Sequence, residues 1–264
     1  GFERVSMRLN VDAKVNEWAK VGTSISYADI DEVITLNDGG DGVIAQSLVM
    51  SPAVPVRDLD GNFAGPTANS AEIGANPVAL ALMRNNTLER EQLYANFFAD
   101  LQLMKGLKFR TEYGISKNHS LNRAFHPTYQ WGVLSNDVNS LNQSESTGDF
   151  WLVKNYFTYT LQSGIHDFTA LLGQEAQKST YRGSSFQKTG FVDENITTPN
   201  QGQNSANPIG GYQGANTLSS YYTRLNYILS DKYLFTVTGR YDGSSRFGPN
   251  NKYGFFPSAS FAWR

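Results

Sequence analysis

The sequence predicts an all-β fold: a section of an antiparallel transmembrane β-barrel with about nine long strands. Three observations predict it. Apolar and polar residues alternate with period two over most of the chain. The best run, Leu93 to Leu103, is about eleven residues long, matching the ~9–11 tilted residues that cross a hydrocarbon layer. Short and long connections alternate between the runs. Successive side chains of a strand point to opposite faces, so each run carries one apolar and one polar face. Helical spacing at i, i+3, i+4 fits these runs poorly.

Taken in order, Val5, Met7, Leu9, Val11 and Ala13 alternate with Arg4, Ser6, Arg8, Asn10 and Asp12. Ala19, Val21, Ile25 and Tyr27 then alternate with Lys20, Gly22, Ser24 and Ser26. A second pair sets Leu93, Ala95, Phe97, Ala99, Leu101 and Leu103 against Tyr94, Asn96, Phe98, Asp100 and Gln102. Its other half sets Leu107, Phe109, Thr111, Tyr113 and Ile115 against Lys108, Arg110, Glu112 and Ser116. A third pair runs from about Asp149 to Ser163 and from His166 to about Lys178. The fourth carries Tyr221, Leu225, Tyr227 and Leu229, then Tyr233, Phe235, Val237 and Tyr241. The last run is Tyr253, Phe255, Pro257, Ala259, Phe261 and Trp263.

Joins near Asn16-Glu17, Lys105-Gly106, Gly164-Ile165 and Asp231-Lys232 are tight. Those from about Asp31 to Leu88, Asn118 to Gly148 and Tyr181 to Leu218 are long and rich in Asn, Gly, Ser and Pro; the one from Gly243 to Asn251 is compact. All the long ones leave the same end of the sheet, the plan of an outer-membrane barrel with short periplasmic turns and long extracellular loops. Trp18, Tyr27, Tyr113, Tyr227, Tyr233 and Trp263 fall towards strand ends, as aromatic girdles at two interfaces do. An odd count of nine leaves two unpaired edges, which lipid does not tolerate. The expectation is a section of a larger barrel.

Composition agrees by exclusion. The chain has 264 residues, 40% hydrophobic and 13% aromatic but only 17% charged, which disfavours disorder. A net charge of −2 gives no basic footprint for nucleic acid. Zero cysteines exclude disulfides, thiolate metal sites and cysteine nucleophiles. The longest apolar stretch, Val78 to Met83, is far too short for a membrane helix. The chain starts with Gly1 rather than Met, so it is expected to begin within a longer polypeptide.

No catalytic constellation is present. GxSxG, a phosphate-binding loop and GxGxxG are missing, and His119, His126 and His166 are scattered without ligand spacing. The expectation is a non-enzyme with no metal and no cofactor. Asp38-Gly-Gly-Asp41-Gly42 and Asp58-Leu-Asp60-Gly61-Asn62 miss the calcium-loop spacing and read as turns, the second as a small hairpin between Val56 and Phe63. Asp242-Gly243 is a hairpin signal, and Arg240, Asp242 and Arg246 are candidates to meet a plug or substrate inside a barrel. The loop aromatics Phe63, Phe125, Tyr129, Trp131, Phe186 and Tyr212, set among Asn, Gln and Ser, are candidate contacts to ligand or lid. Flat rings stack on the apolar faces of sugars or peptides while amides orient the polar edges. The competing reading is that they only pack the loops.

Tyr222 to Arg264, with RLNY, DKYL, GRYDGSSRFG and FFPSASFAWR, resembles the barrel of SusC/RagA-type TonB-linked outer-membrane transporters. RLNVDAKVNEWAKVGTSISY from Arg8, NPVALA from Asn76, LKFRTEYG from Leu107 and HDFTALLGQEAQ from His166 extend the resemblance over essentially the whole chain. It implies a 22-stranded barrel around a plug, of which residues 1–264 are a partial barrel domain, without plug or closing strands. It also implies a Bacteroidetes-like source, energy-coupled import of oligosaccharide or peptide, a SusD-like surface lipoprotein as lid, and the TonB complex acting through the plug. Arg4, Arg8, Asp12, Lys20, Asn96, Asp100, Lys108, Arg110, Glu112, Arg224, Asn226, Arg240 and Asp242 are expected to face the lumen. An Arg or Lys at the lipid midplane costs ~2–4 kcal/mol. Two rivals remain: a soluble or surface-attached all-β carbohydrate-binding module, whose apolar face would be a core between two sheets, and a barrel enzyme, for which no residue group is found.

Overall fold

The computed structural model describes residues 1–34, 42–69, 74–83 and 85–264, apart from the side chains of 207 and 208. Its strands are β1 (Phe2–Lys14), β2 (Ala19–Val33), β3 (Asn85–Met104), β4 (Leu107–His126), β5 (Tyr129–Trp131), β6 (Leu134–Asn136), β7 (Ser140–Ser163), β8 (His166–Thr189), β9 (Gln203–Leu229), β10 (Tyr233–Ser244) and β11 (Tyr253–Trp263). Two one-to-two-turn helices, α1 (Val43–Val49) and α2 (Pro77–Met83), lie in the β2–β3 connection. Nine strands form one sheet in the order β1-β2-β3-β4-β7-β8-β9-β10-β11, every neighbour antiparallel, and β5-β6 make a separate two-stranded piece. This is the nine-strand meander the alternation predicts, with β1 and β11 at its edges.

The tight turns are where glycines and short polar residues allow left-handed backbone. Gly106 and Gly164 take φ of 82° and 57°, and the β9–β10 turn uses Ser230 and Asp231 at 55° and 56°. Such turns match the twist of the flanking strands.

Residues paired across an antiparallel sheet share a face, so the pairing assigns every side chain. One face carries Phe97, Phe157, Leu172, Leu225, Phe235, Val237, Phe255 and Phe261, all exposed, with Leu172 64% and Phe255 65% accessible. The only other sheet among the described residues is β5-β6, so no second layer buries this face. Rings near the tight-turn end form a continuous run across four strands: His166–Tyr227, Tyr227–Phe235, Phe235–Phe261 and Tyr233–Phe261, with centroids 5.0–6.5 Å apart. Tyr227, Tyr233 and Trp263 lie in it or beside it on the apolar face, as an interfacial girdle requires.

The strands are longer than the alternation indicates. Residues Asn118–His126 and Ser140–Gly148 belong to β4 and β7, and Tyr181–Thr189 and Gln203–Leu218 to β8 and β9. The two later long connections therefore shrink to residues 127–139 and 190–202. Ladder hydrogen bonds need no apolar residues, so pairing continues beyond the apolar band with polar side chains on both faces. The compact connection likewise starts after Ser244; Asp242-Gly243 lies inside β10 and is not the turn.

Candidate functional site

Two neighbouring cross-strand rows of the polar face carry a run of opposite charges. The first reads Lys20, Asp100, Arg110, Tyr156, Gly173, Tyr222, Arg240; the second Gly22, Phe98, Glu112, Lys154, Glu175, Ser220, Asp242. Because the rows are two residues apart along each strand, opposite charges meet within and across them. Lys20 binds Asp12 at 2.9 Å, Arg110 bridges Asp100 at 3.1 Å and Glu112 at 2.5 Å, and Lys154 and Arg240 share Glu175 at 3.6 Å each. Arg240 Nε also donates to Asp242 at 2.6 Å, and its terminal nitrogen donates to the hydroxyl of buried Ser220 at 2.9 Å. Single exposed ion pairs contribute only ~0–1 kcal/mol. Their value here is positional: the long side chains are held flat along the wall.

Glycines opposite rings make room for this layer. The Phe98 ring occupies the space a Cβ at Gly22 would need, and the Tyr222 ring does the same over Gly173. The Arg110 guanidinium lies over the Phe98 ring at 4.2 Å, and that of Arg240 stands 5.6 Å from the Tyr222 ring. Sequence reading misses both glycine–ring pairs, because the partners are 76 and 49 positions apart; register alone brings them together.

Of the residues expected on the lumenal wall, Arg224, Asn226, Arg240 and Asp242 share the polar face of β9 and β10. Arg224 Nε donates to Asn226 Oδ1 at 3.1 Å, as does the Thr236 hydroxyl at 3.0 Å. This pair is separate from the Arg240–Asp242 pair. Arg246 does not join either. It sits exposed in the turn after β10, its backbone N–H on Ser244 Oγ at 3.2 Å.

The six loop aromatics divide among three places. Trp131 is buried with Ala79 and Leu80, and Phe63 and Tyr129 pack against this cluster. Asn76 builds it: buried, its amide donates to the Val56 and Ala64 carbonyls while its oxygen caps α2 at Val78 and Ala79. Phe125 is buried with Leu141 and Phe191, and Phe186 packs beside them. Tyr212 lies on the polar face 6.2 Å from Tyr181, exposed. Phe125 and Phe186 are strand residues of β4 and β8, and Tyr212 belongs to β9, so these three are not loop residues at all.

The 127–139 and 190–202 connections are latched together. Buried Asn139 exchanges two hydrogen bonds with the Phe191 backbone, at 2.7 and 2.9 Å. Glu194 Oε1 accepts from the Thr128 N–H, the Thr128 hydroxyl and the Asn139 amide at 2.7–2.9 Å. Burial raises the Glu194 carboxyl, but those three donors outweigh it and hold the group below its ordinary value. Arg123 reaches Thr197. The Asp58–Asn62 turn is a small hairpin closed by an Arg57–Phe63 bridge; Asp38 and Asp41 lie outside the described residues.

Comparison with known proteins places this architecture. The family model described as TonB dependent receptor-like, beta-barrel matches residues 36–264. TonB-dependent receptor P3 of Formosa agariphila is 31% identical over 99% of this chain and 27% of its own length. TonB-dependent receptor SusC of Bacteroides thetaiotaomicron is 37% identical over 41% of this chain and 10% of its own. The chain spans about a quarter of the length of the curated relatives that match it end to end. Among solved structures, the RagAB peptide transporter superposes with a TM-score of 0.80 at 23% identity, over 98% of this chain and 30% of that one. The ferric citrate transporter FecA gives 0.53 at 8% identity, over 98% and 32%.

Proposed function

Because the chain belongs to the TonB-dependent receptor β-barrel family, a family of outer-membrane receptors and transporters rather than enzymes, we propose that it forms nine strands of a SusC/RagA-type nutrient importer. In this reading the nine strands are a partial barrel, closed by further strands and filled by a plug. A SusD-like lipoprotein covers the outer mouth, and TonB pulls on the plug to admit oligosaccharide or peptide. Transport is then conformational, with no covalent step.

The observation that carries this reading is the division of one sheet into an exposed apolar face and an opposite face of paired charges. Lipid accepts the first. The second suits a wet interior, where groups such as Arg110 and Arg240, already neutralised by carboxylates, line a path without trapping a charged solute. Arg224, Asn226, Arg240 and Asp242 are among the polar-face groups that would line such a path. Phe63, Tyr129 and Tyr212, less covered than Trp131 and Phe125, are the rings free to meet ligand or lid; Arg246 is exposed at the same outer end.

The test is uptake by native cells. Deleting the gene should abolish accumulation of one labelled oligosaccharide or peptide pool, and tagged protein from detergent extracts should bring down a surface lipoprotein. Unchanged uptake across both pools, with no lipoprotein recovered, would reject the proposal.

A further inference from the structure

Outside the charged wall, the two small hairpins at the outer end flank an open groove of about 820 Å³. One side is the Arg57–Phe63 hairpin, the other the β5-β6 piece. Its floor is aromatic: Tyr129 stacks on Trp131 with centroids 3.9 Å apart, and Phe63 lies beside them under the Arg57 guanidinium at 4.3 Å. Its polar groups are fixed but only partly used. Asp58 Oδ1 accepts the N–H groups of Asp60 and Asn62 at 3.0 and 2.8 Å, which leaves Oδ2 open among the described residues. Arg57 donates one bond to the Gly61 carbonyl at 2.6 Å. Gln130 donates to the Gly132 carbonyl at 2.6 Å, leaving its oxygen to accept. Arg57, Asp58 and Gln130 are all exposed.

We propose that this groove is a carbohydrate subsite, taking one pyranose residue of a neutral glycan on Tyr129, with Asp58, Gln130 and the Arg57 guanidinium that Phe63 holds in place reading its vicinal hydroxyls. A sugar ring presents an apolar face and, at its rim, adjacent groups that each donate and accept. The groove offers that combination of a ring floor, an unspent carboxylate oxygen, an unspent guanidinium edge and an amide oxygen. A peptide bound by strand addition would need an open sheet edge. Here that edge is closed. The backbones of Gly65 and Pro66 run against Trp131 and Gly132 so tightly that a Cβ at Gly65 or Gly132 would collide with backbone, and Val133 N–H already donates to the Pro66 carbonyl at 2.9 Å.

The assignment rests on the importer reading in one respect, that these hairpins face the outside. The test uses detergent-purified protein, with maltohexaose, laminarihexaose, xylohexaose and mannohexaose as neutral glycan probes and a mixed hexapeptide pool as comparator. At least one glycan should bind, and Asp58→Ala and Tyr129→Ala should each weaken it tenfold or more. Tyr129→Phe should retain stacking and most of the affinity, and Lys252→Ala, remote from the groove, all of it. Heat-modifiable migration of each variant reports whether the barrel is intact. Intact variants that bind glycan as wild type does, no glycan bound at all, or Asp58- and Tyr129-dependent binding of peptide alone would each overturn the subsite while leaving the importer reading in place. Absence of the wild-type protein from the outer-membrane fraction would instead remove the importer reading on which the subsite's outward placement depends.

Discussion

Gly173 on β8 and Tyr222 on β9 are directly paired, and the Tyr222 ring occupies the space a Cβ at Gly173 would need. The next pairing sets Arg240 against Tyr222. The missing side chain at one position thus determines where a ring and a guanidinium lie on the neighbouring strands.

Gly173→Val should expel the Tyr222 ring and loosen Arg240 from Glu175 and Ser220. The expected cost is about 1–3 kcal/mol, the range for forcing atoms into filled space. Thermal melting of the purified protein, followed by heat-modifiable migration, measures it; a melting temperature equal to wild type would show that the ring's position is unimportant.

Face assignment has a direct contrast. Leu101 pairs with Ala19 and Phe109 on the apolar face, whereas Asn96 pairs with Ser24 and Gly114 on the polar one. Leu101→Arg should impair outer-membrane assembly, because a cation on the lipid face is destabilising, and Asn96→Arg should assemble. Equal recovery of both in the outer-membrane fraction would reverse the argument.

The apolar face contains a polar ladder: the Thr111 hydroxyl donates to Asn155 Oδ1 at 2.8 Å, and the Asn155 amide reaches Gln174 Oε1 at 3.5 Å. Removing one member strands its neighbour in lipid, while removing several together leaves nothing unsatisfied. Gln174→Leu alone should lose about 1 kcal/mol or less. The triple change Thr111→Val, Asn155→Leu, Gln174→Leu should match or exceed wild-type stability in urea unfolding from liposomes. Simple additivity of the single losses would refute the coupling.

Acid should open the latch between the 127–139 and 190–202 connections. Glu194 has a lowered carboxyl in the folded state despite the opposing effect of burial. Its contribution is therefore complete above the ordinary carboxylate value and is lost as pH falls through the lowered one. Amide exchange at Thr128 and Phe191, corrected for intrinsic rates, should rise on acidification below that range. Glu194→Gln, which can accept but cannot titrate, should flatten the dependence; an equally steep profile in the variant would assign it elsewhere.

How far the sequence could be read follows from what each feature depends on. Leu93 to Leu103 and Tyr253 to Trp263 announce strands because an apolar face on one side and a polar face on the other impose period two on the residues themselves. The tight joins at Lys105-Gly106 and Gly164-Ile165 are equally plain, since they need residues that tolerate left-handed backbone. Strand extensions such as Ser140 to Gly148 are silent, because a ladder above the apolar band selects for nothing on either face. Asp242-Gly243 misleads for the related reason that a turn-forming pair can still be held straight by two neighbouring strands.

The sequence by itself therefore determines the fold class, the number and direction of the strands in the main sheet, which residues share its apolar face, and the family. Those are local properties, written wherever side chains alternate between two solvents. The tertiary structure alone decides that Arg240 meets Glu175, that Tyr222 covers Gly173, that Arg246 stands apart, and that Trp131 and Phe125 are packing while Tyr129 and Phe63 line a groove. These depend on the register between strands tens of residues apart, and alternation, which only says which face a residue is on, carries no information about which residue stands opposite.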